Sequence, residues 1–280
     1  MGGCYTMRKR NFLRVGLAVV LLLGLSIAVG LAAHASSADA VWPESSGEVV
    51  RSDGKLIVDA SHMEQGYIMC CVSAPTDHRL KVRMTYSNGA QLDYDLDNDG
   101  DYVVFPLQLG SGNYDFALYE NVSGTKYSAE GKVSLSVQLV DENAAFLVPN
   151  QYVDYVRTTN AVLKSDELAT QGDIYQTVCD FMTNEFTYDF VRAKTISPGA
   201  LPEIEGCFDA RSGICQDLSA VMVCMLRVQG IPAKLMIGYA DKYYHAWTVA
   251  LVDGQEVFFD PTAAVGALSG IRKYTIERFY

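Results

Sequence analysis

The sequence predicts an α+β protein in which short antiparallel strands come first, followed by helices and then further strands. Two observations lead to this fold class. Between residues 56 and 140, β-type runs are separated by turn residues at intervals of about 8–12 residues. Beyond residue 160, apolar residues recur with the spacing of one helix face, and short strand patterns follow. With 49% hydrophobic side chains, the 280 residues are enough to bury a core.

The first forty residues have the pattern of a secretory signal. The basic segment Arg8-Lys9-Arg10 precedes an uncharged run from Val15 to Ala33, and small residues follow as far as Ala40. This run is longer than the usual ~7–15 residues of a signal core and approaches the ~20 residues that span a bilayer as a helix. We therefore expect residues 1–40 to be a cleaved signal peptide or a membrane anchor. The rest of the chain is then exported, either secreted or held at the cell surface.

Two segments precede the predicted catalytic half. Residues 41–55 contain proline, serine and glycine and are predicted to be a spacer. Residues 56–142 are predicted to form a small antiparallel β-sandwich-like domain, because turn signals separate runs in which apolar and polar residues alternate. The clearest runs cover residues 81–86, 101–105, 114–119 and 132–140.

The second half begins with a change of pattern. Residues 143–160 lose the β alternation and are predicted to be a connector, after which residues 161–280 form a second domain. Apolar spacing predicts one helix around Ile174–Phe186 and another from Ser212 to Gln229. Three strands are predicted after the second helix, at residues 233–240, 244–252 and 256–260, with Asp253-Gly254 as a tight hairpin turn between the last two.

Cys215, His245 and Asp260 are the residues of this half that can carry chemistry. Cys215 lies where the chain enters the second helix, His245 begins the middle strand, and Asp260 ends the last strand. The hairpin makes the two strands neighbours, so the imidazole and the carboxylate can meet. The helix start needs only to pack over that sheet to bring the sulfur to the histidine.

These three residue types act together in nucleophilic catalysis. The positive end of a helix and a neighbouring imidazolium favour a thiolate, whereas removal from water disfavours it. A carboxylate fixes the imidazole tautomer and stabilises its positive charge, as in other nucleophile–base–orienter triads. Each residue also has a plain alternative: Cys215 as a small buried hydrophobe, His245 as a structural histidine, and Asp260 as the start of a turn before Pro261.

Five separated motifs of this half resemble those of the transglutaminase-like superfamily, over about residues 150–265. They are Ser212-Gly213-Ile214-Cys215-Gln216-Asp217, Met225–Lys234, Gly238-Tyr239, His245-Ala246-Trp247 and Asp260-Pro261-Thr262. The resemblance implies a papain-like α+β core with a Cys–His–Asp triad at Cys215, His245 and Asp260. The family includes protein cross-linkers, peptidases, deamidases and inactive binding modules, so the resemblance implies the scaffold and triad more than the reaction.

Two further features belong to the resemblance. The N-terminal β segment, joined to the core through residues 147–152, looks like an arrangement found in exported proteins of Gram-positive bacteria. One departure is that many relatives carry a tryptophan shortly before the last aspartate, whereas Val257-Phe258-Phe259 stands here. Phenylalanine can fill the same packing role.

Gln216 and Trp247 are candidates for contacts with a substrate or an oxyanion. Trp247 follows His245 by two residues on the same strand face, where it shields the triad from water or simply packs. Gln216 and Asp217 lie in the first helical turn, where a solvated side chain is the plain alternative. Cys207 is a further candidate, as a redox partner of Cys215.

The sequence therefore predicts an exported cysteine enzyme that attacks amide bonds of protein or peptide substrates, including cell-wall or surface proteins, through a Cys215 thioester. If water resolves the thioester, the enzyme is a peptidase or deamidase; if an amine does, it is a cross-linker. Hydrolysis is slightly favoured, because the short catalytic region leaves little room for an acceptor groove. The alternative is a non-catalytic cell-surface binding module that keeps the triad.

Composition and spacing exclude several other classes. A net charge of −11 opposes sequence-independent binding of nucleic acid. Beyond the leader, glycine-rich phosphate-binding motifs do not occur, so no nucleotide cofactor is expected. His62, His78 and His245 lie far apart in the sequence, and the cysteines form no C-x-x-C pair, so no metal site is expected. Membrane contact is expected only through the N-terminal segment.

Overall fold

The computed structural model describes residues 36–270 and 272–280. Most of the predicted signal peptide or anchor, residues 1–35, lies outside the described residues, so that prediction stays open. Among the described residues, no helix combines the length and the apolar character that a membrane crossing requires. The described residues form a single compact unit.

The N-terminal part of this unit consists of two antiparallel sheets of four strands each. One sheet has the strand order β1-β2-β3-β6 and the other has the order β5-β4-β7-β8. The strands are β1 (Val50–Asp53), β2 (Leu56–Asp59), β3 (Tyr67–Val72), β4 (Leu80–Tyr86), β5 (Gln91–Leu96), β6 (Val103–Pro106), β7 (Gly112–Ser123) and β8 (Lys126–Val137).

Period-two alternation explains why these residues form sheets. In β4, Leu80, Val82 and Met84 are fully buried, and the residues between them are partly exposed. Val82 stands opposite Leu118 of β7, and Met84 stands opposite Phe116, so apolar side chains of neighbouring strands share one face. One difference from the sequence prediction concerns residues 41–55, where part of the expected spacer is strand β1, hydrogen-bonded to β2.

The C-terminal part contains helices followed by a mainly antiparallel sheet. The helices are α1 (Asn160–Ala169), α2 (Ile174–Glu185), α3 (Arg192–Thr195), α4 (Ile204–Ala210), α5 (Cys215–Arg227) and α6 (Pro261–Ala264). The strands are β9 (Thr187–Tyr188), β10 (Ser212–Gly213), β11 (Ala233–Ala240), β12 (Tyr243–Val252), β13 (Gln255–Phe259) and β14 (Tyr274–Phe279). The main sheet has the order β13-β12-β11-β14. The α+β class predicted from the sequence is confirmed.

Helix α5 is the centre of this part. It packs against β11 and β12 on one side and against α1, α2 and α4 on the other. The apolar stripe that the spacing predicts for this helix is buried; it consists of Leu218, Val221, Met222, Met225 and Leu226. Val223 and Cys224 lie outside that stripe and are buried too, because the helix is covered on all sides. The helix begins at Cys215 rather than at Ser212, since Ser212 and Gly213 pair with β9 as a short parallel strand.

Strand β14 was not expected from the sequence. It pairs antiparallel with β11, and its register shifts between Ile237 and Gly238. The end of β14 and the residue after it also contact the N-terminal part. The side chain of Gln108, just after β6, donates a hydrogen bond to the carbonyl of Phe279, and the ring of Tyr94 in β5 lies 5.9 Å from that of Tyr280. The C-terminal strand therefore ties the two parts of the unit together.

Candidate active site

Cys215 is the first residue of helix α5, directly after the extended residue Ile214. Its side chain is half-buried, whereas the other five cysteines of the described residues are buried. The first N–H groups of a helix have no acceptor within the helix and give that end a partial positive charge. The thiol therefore lies at the position where a helix best stabilises an anion.

Asp217 holds the neighbouring segments next to the nucleophile through hydrogen bonds. Its carboxylate accepts hydrogen bonds from the backbone N–H of Ile214 (3.1 Å), from the backbone N–H of Glu203 (3.1 Å) and from Nε of Arg192 (2.9 Å). Only 1% of Asp217 is exposed. The expectation of a solvated first-turn side chain is therefore wrong for Asp217, because this carboxylate satisfies donors from two separate segments.

Gln216, the residue next to the nucleophile, is also engaged. Its side-chain amide donates to the carbonyl of Ala200 at 3.0 Å. Together with the contacts of Asp217, this bond holds the segment around residues 192–203 against the first turn of α5. The Gln216 amide keeps a second N–H beside the one that bonds to Ala200, and its role as an oxyanion donor stays a prediction.

His245 and Asp260 form a buried pair. Nε2 of His245 lies 2.8 Å from Oδ2 of Asp260, and their side chains are only 7% and 3% exposed. The hairpin predicted from the sequence is the cause: β12 and β13 are adjacent, and Asp253 and Gly254 adopt the positive φ values of 50° and 75° that a tight turn requires. Since a carboxylate only accepts, Nε2–H is the donor, and Nδ1 is the ring nitrogen left for a different partner.

Asp260 has a second set of contacts. Its Oδ1 accepts the backbone N–H groups of Thr262 (2.9 Å) and Ala263 (3.2 Å), so it also caps helix α6. Asp260 therefore fills both roles considered from the sequence. Its Oδ1 caps the turn, and its Oδ2 binds His245. The pKa of Asp260 is raised by burial and lowered by its hydrogen bond and charge interaction with His245, and the net shift is downward.

The structure also couples His245 to Cys215. Burial lowers the pKa of His245, but hydrogen bonds to Asp260 and to the Cys215 side chain, together with their negative charges, raise it to about 9. All three residues predicted as a triad are thus brought together. At neutral pH this environment holds the imidazole in its protonated form, next to the sulfur at the start of α5.

The titration of His245 is a direct prediction of this geometry. We expect its NMR titration midpoint near pH 9, above the ordinary value of about 6.5. A pKa raised by folding stabilises the native state fully below the unfolded value, and this stabilisation is lost as the pH rises through about 9. A His245→Gln variant assigns the resonance, and a midpoint at or below 6.5 contradicts the described contacts.

Trp247 lies against the pair on the same face. Its ring is 2% exposed and packs on His245 with centroids 6.2 Å apart and nearly parallel planes. Such burial fits the shielding role better than direct contact with a substrate.

Cys207 is buried, and burial raises the pKa of its thiol far above the usual range. All six cysteines of the described residues are free.

Sequence reasoning missed Tyr274. Its hydroxyl donates to Oδ2 of Asp260 at 2.6 Å, and its ring lies 5.0 Å from that of Trp247. The sequence gives no local signal for this contact, because it depends on the pairing of β14 with β11.

Within the described part of the chain, no group of three or more His, Cys, Asp or Glu side chains is arranged to hold a metal ion.

Comparison with known proteins gives a family match for the part of the chain that contains this site. The family model of the transglutaminase-like superfamily matches residues 157–261, a segment that contains all three residues of the candidate triad and begins three residues before α1. No curated protein matches the chain.

Several solved structures are similar to the chain in fold. A protein from Cytophaga hutchinsonii, provisionally assigned as a cysteine protease, shows 17% identity and a TM-score of 0.39, with 78% of this chain and 79% of that one covered. A TGase shows 16% identity and a TM-score of 0.33, with 54% and 46% covered. Red sea bream transglutaminase shows 14% identity and a TM-score of 0.27, with 70% and 48% covered. The chain thus spans about half the length of these two.

Proposed function

Because residues 157–261 match the family model of the transglutaminase-like superfamily, we propose that this chain is a cysteine enzyme that attacks amide bonds of proteins or peptides through a thioester on Cys215. One observation supports this function above the others. A half-buried thiol at a helix start interacts with an imidazole whose Nε2 is 2.8 Å from a buried carboxylate. This is the arrangement of nucleophile, base and orienting group that acyl transfer requires.

The first half of the proposed reaction forms the thioester. His245 holds the proton of the thiol, and the sulfur of Cys215 attacks the amide carbonyl carbon. The carbonyl oxygen becomes an oxyanion, and the backbone N–H groups at the start of α5 are placed to donate to it. When the C–N bond breaks, the imidazolium gives its proton to the departing amine or ammonia, and the acyl group stays on sulfur.

The second half releases the acyl group. Neutral His245 takes a proton from water or from an amine, which attacks the thioester carbonyl, and the sulfur leaves as the thiolate. Asp260 keeps Nε2 protonated throughout and so presents Nδ1 to the reacting atoms. Water gives a carboxylic acid, and an amine gives a new amide.

We favour hydrolysis over acyl transfer. The segment that matches the superfamily ends at residue 261, and this short region leaves little room for a separate groove that binds an acceptor lysine. The second candidate is a non-catalytic binding module at the cell surface. Two open pockets, of about 550 and 650 Å³, favour this alternative, since neither is lined by a residue of the triad and both offer further binding space.

The proposed location is outside the cytoplasm. This part of the proposal is supported by the charge and hydropathy pattern of residues 1–40, and by that pattern alone. The mature protein is expected either to begin near residue 40 or to keep the leader as an anchor. Intact-mass measurement of the protein recovered from the producing cell distinguishes these two forms, and recovery of the full chain from the cytosol contradicts export.

Mass spectrometry of a peptide that contains glutamine and several ordinary peptide bonds tests the reaction. We expect chain cleavage or a gain of about 1 Da for the hydrolytic enzyme, in the presence or absence of a primary amine. An amine adduct instead identifies a cross-linking enzyme. The Cys215→Ala variant serves as the blank. If a panel of such peptides stays unchanged with the wild-type protein, the binding module is the correct alternative.

A further inference from the structure

We propose that Tyr274 is a positioning residue of this site: its hydroxyl holds the Asp260 carboxylate in the orientation that receives Nε2–H of His245. The inference rests on the proposed function for its catalytic consequence, but the contact itself belongs to the described structure. No motif that suggested the triad includes Tyr274, which lies 14 residues beyond Asp260.

All acceptor positions of the Asp260 carboxylate are occupied. Oδ1 of Asp260 accepts two backbone N–H groups of helix α6, and Oδ2 accepts from His245 Nε2 at 2.8 Å and from the Tyr274 hydroxyl at 2.6 Å. A carboxylate offers about four acceptor positions, so these contacts use all of them. Since the Asp260 side chain is 3% exposed, water cannot easily replace a lost donor.

Two aromatic neighbours hold the Tyr274 ring in place. Its centroid lies 5.0 Å from that of Trp247 and 4.7 Å from that of Phe258, with planes at 66° and 65°. Edge-to-face packing on two sides fixes the direction of the hydroxyl. The His245 ring is 6.1 Å away and tilted by 44°, so the phenol lies beside the imidazole while it bonds to the partner of that imidazole.

The pairing of β14 with β11 at Gly238 brings β14 to the site. Gly238 of β11 stands opposite His245 of β12 on one side and opposite Ile276 of β14 on the other. A Cβ atom at Gly238 would lie 2.0 Å from the carbonyl oxygen of Thr275, which no side chain permits. The bare backbone of Gly238 therefore lets β14 come close enough to place Tyr274 on Asp260.

The charged and titratable groups around the pair make the consequence specific. Cys215 faces His245 from α5, and the bond from Tyr274 is among the contacts that keep Asp260 ionised. Near Tyr274, Arg272 and Asp241 form an ion pair with a distance of 3.0 Å. The charge of Arg272 lowers the pKa of Tyr274, and the charge of Asp241 raises it. Removing the hydroxyl alone leaves this set of charges in place and frees the carboxylate to rotate away from Nε2.

The Tyr274→Phe variant tests this inference, because it keeps the ring and removes one oxygen. We expect the NMR titration midpoint of His245 to fall by about one pH unit, which is a tenfold change in the protonation equilibrium. We also expect the rate constant for alkylation of Cys215 by iodoacetamide at pH 7 to fall. Tyr239→Phe is the matched control, since that tyrosine lies on β11 and packs on Tyr244; it should change neither quantity.

A purely structural role gives a different result. If Tyr274→Phe lowers the melting temperature but leaves the His245 midpoint and the alkylation rate unchanged, or if the midpoint rises, the positioning role is refuted. Gly238→Ala is a second variant that should displace β14 and shift the midpoint in the same direction as Tyr274→Phe. If the midpoint falls as expected but the wild-type protein turns over no peptide, the proposed function fails while the positioning role of Tyr274 stands.

Discussion

Replacing His245 by alanine is expected to lower kcat/KM for the peptide substrate by about 10⁴-fold. The variant loses the group that accepts the thiol proton and returns it to the leaving amine, and it leaves Asp260 buried without its main partner. Turnover is followed by mass spectrometry with the peptide on which the wild-type protein acts. Because the imidazole acts together with Cys215 and Asp260, the loss should not add to that of a Cys215→Ala replacement.

His78→Ala is the matched control for this measurement. His78 is 60% exposed and pairs with Glu120 in the N-terminal sheets, so its removal should leave kcat/KM within about a factor of two of the wild-type value. The His245→Ala protein must also unfold cooperatively, so that lost turnover is not lost folding. A His245→Ala protein that stays folded and keeps more than about a tenth of the wild-type rate contradicts a role of this residue as base.

Replacing Arg227 by methionine is expected to lower the free energy of unfolding by about 3 kcal/mol or more. Arg227 is 1% exposed at the end of α5, and its guanidinium donates to the main-chain oxygens of Ala233 (2.9 Å), Val148 (2.6 Å) and Tyr280 (2.9 Å). Methionine fills much of the space but donates nothing, so the carbonyl groups of Val148 and Ala233 lose the guanidinium as a donor. The main-chain oxygen of Tyr280 loses it too but keeps the backbone N–H of Leu235. The gain from removing a buried charge offsets only part of this loss.

Urea denaturation measures the effect of the Arg227 replacement. Burial lowers the pKa of Arg227 to about 10, which still leaves the guanidinium charged at neutral pH. Arg51→Met, in the exposed strand β1, is the control and should change stability by less than about 0.5 kcal/mol. A loss below about 1 kcal/mol for Arg227→Met would show that the three carbonyl groups find other partners.

The parts of the site that the sequence predicted are those set by local pattern. Cys215 begins a helix whose apolar stripe is visible in the sequence, and the turn at Asp253 and Gly254 brings His245 next to Asp260. These relations involve neighbouring elements, and a helix start or a hairpin is encoded by a few adjacent residues. The α+β order could be read for the same reason.

The parts that sequence reasoning missed depend on contacts between distant segments. Tyr274 reaches Asp260 only because β14 crosses Gly238, and Asp217 is buried only because Arg192 and Glu203 fold back onto α5. An aspartate usually lies in solvent, and a tyrosine is found both buried and exposed, so composition and periodicity do not single out Asp217 or Tyr274. Arg227 is a similar case, since its three acceptors come from three separate segments.

The rate of alkylation of Cys215 by iodoacetamide at pH 6 tests the central claim most directly. At that pH an ordinary thiol with a pKa of ~8.5 reacts slowly, because well under ~1% of it is thiolate. The protonated imidazole of His245 and the start of helix α5 both lie beside the sulfur of Cys215, and their positive charge favours its attack on the alkylating agent. We predict that the wild-type protein is alkylated at Cys215 at least about tenfold faster than free cysteine, and that His245→Ala removes the difference. Alkylation of the folded wild-type protein at the rate of free cysteine, unchanged in that variant, would contradict the account.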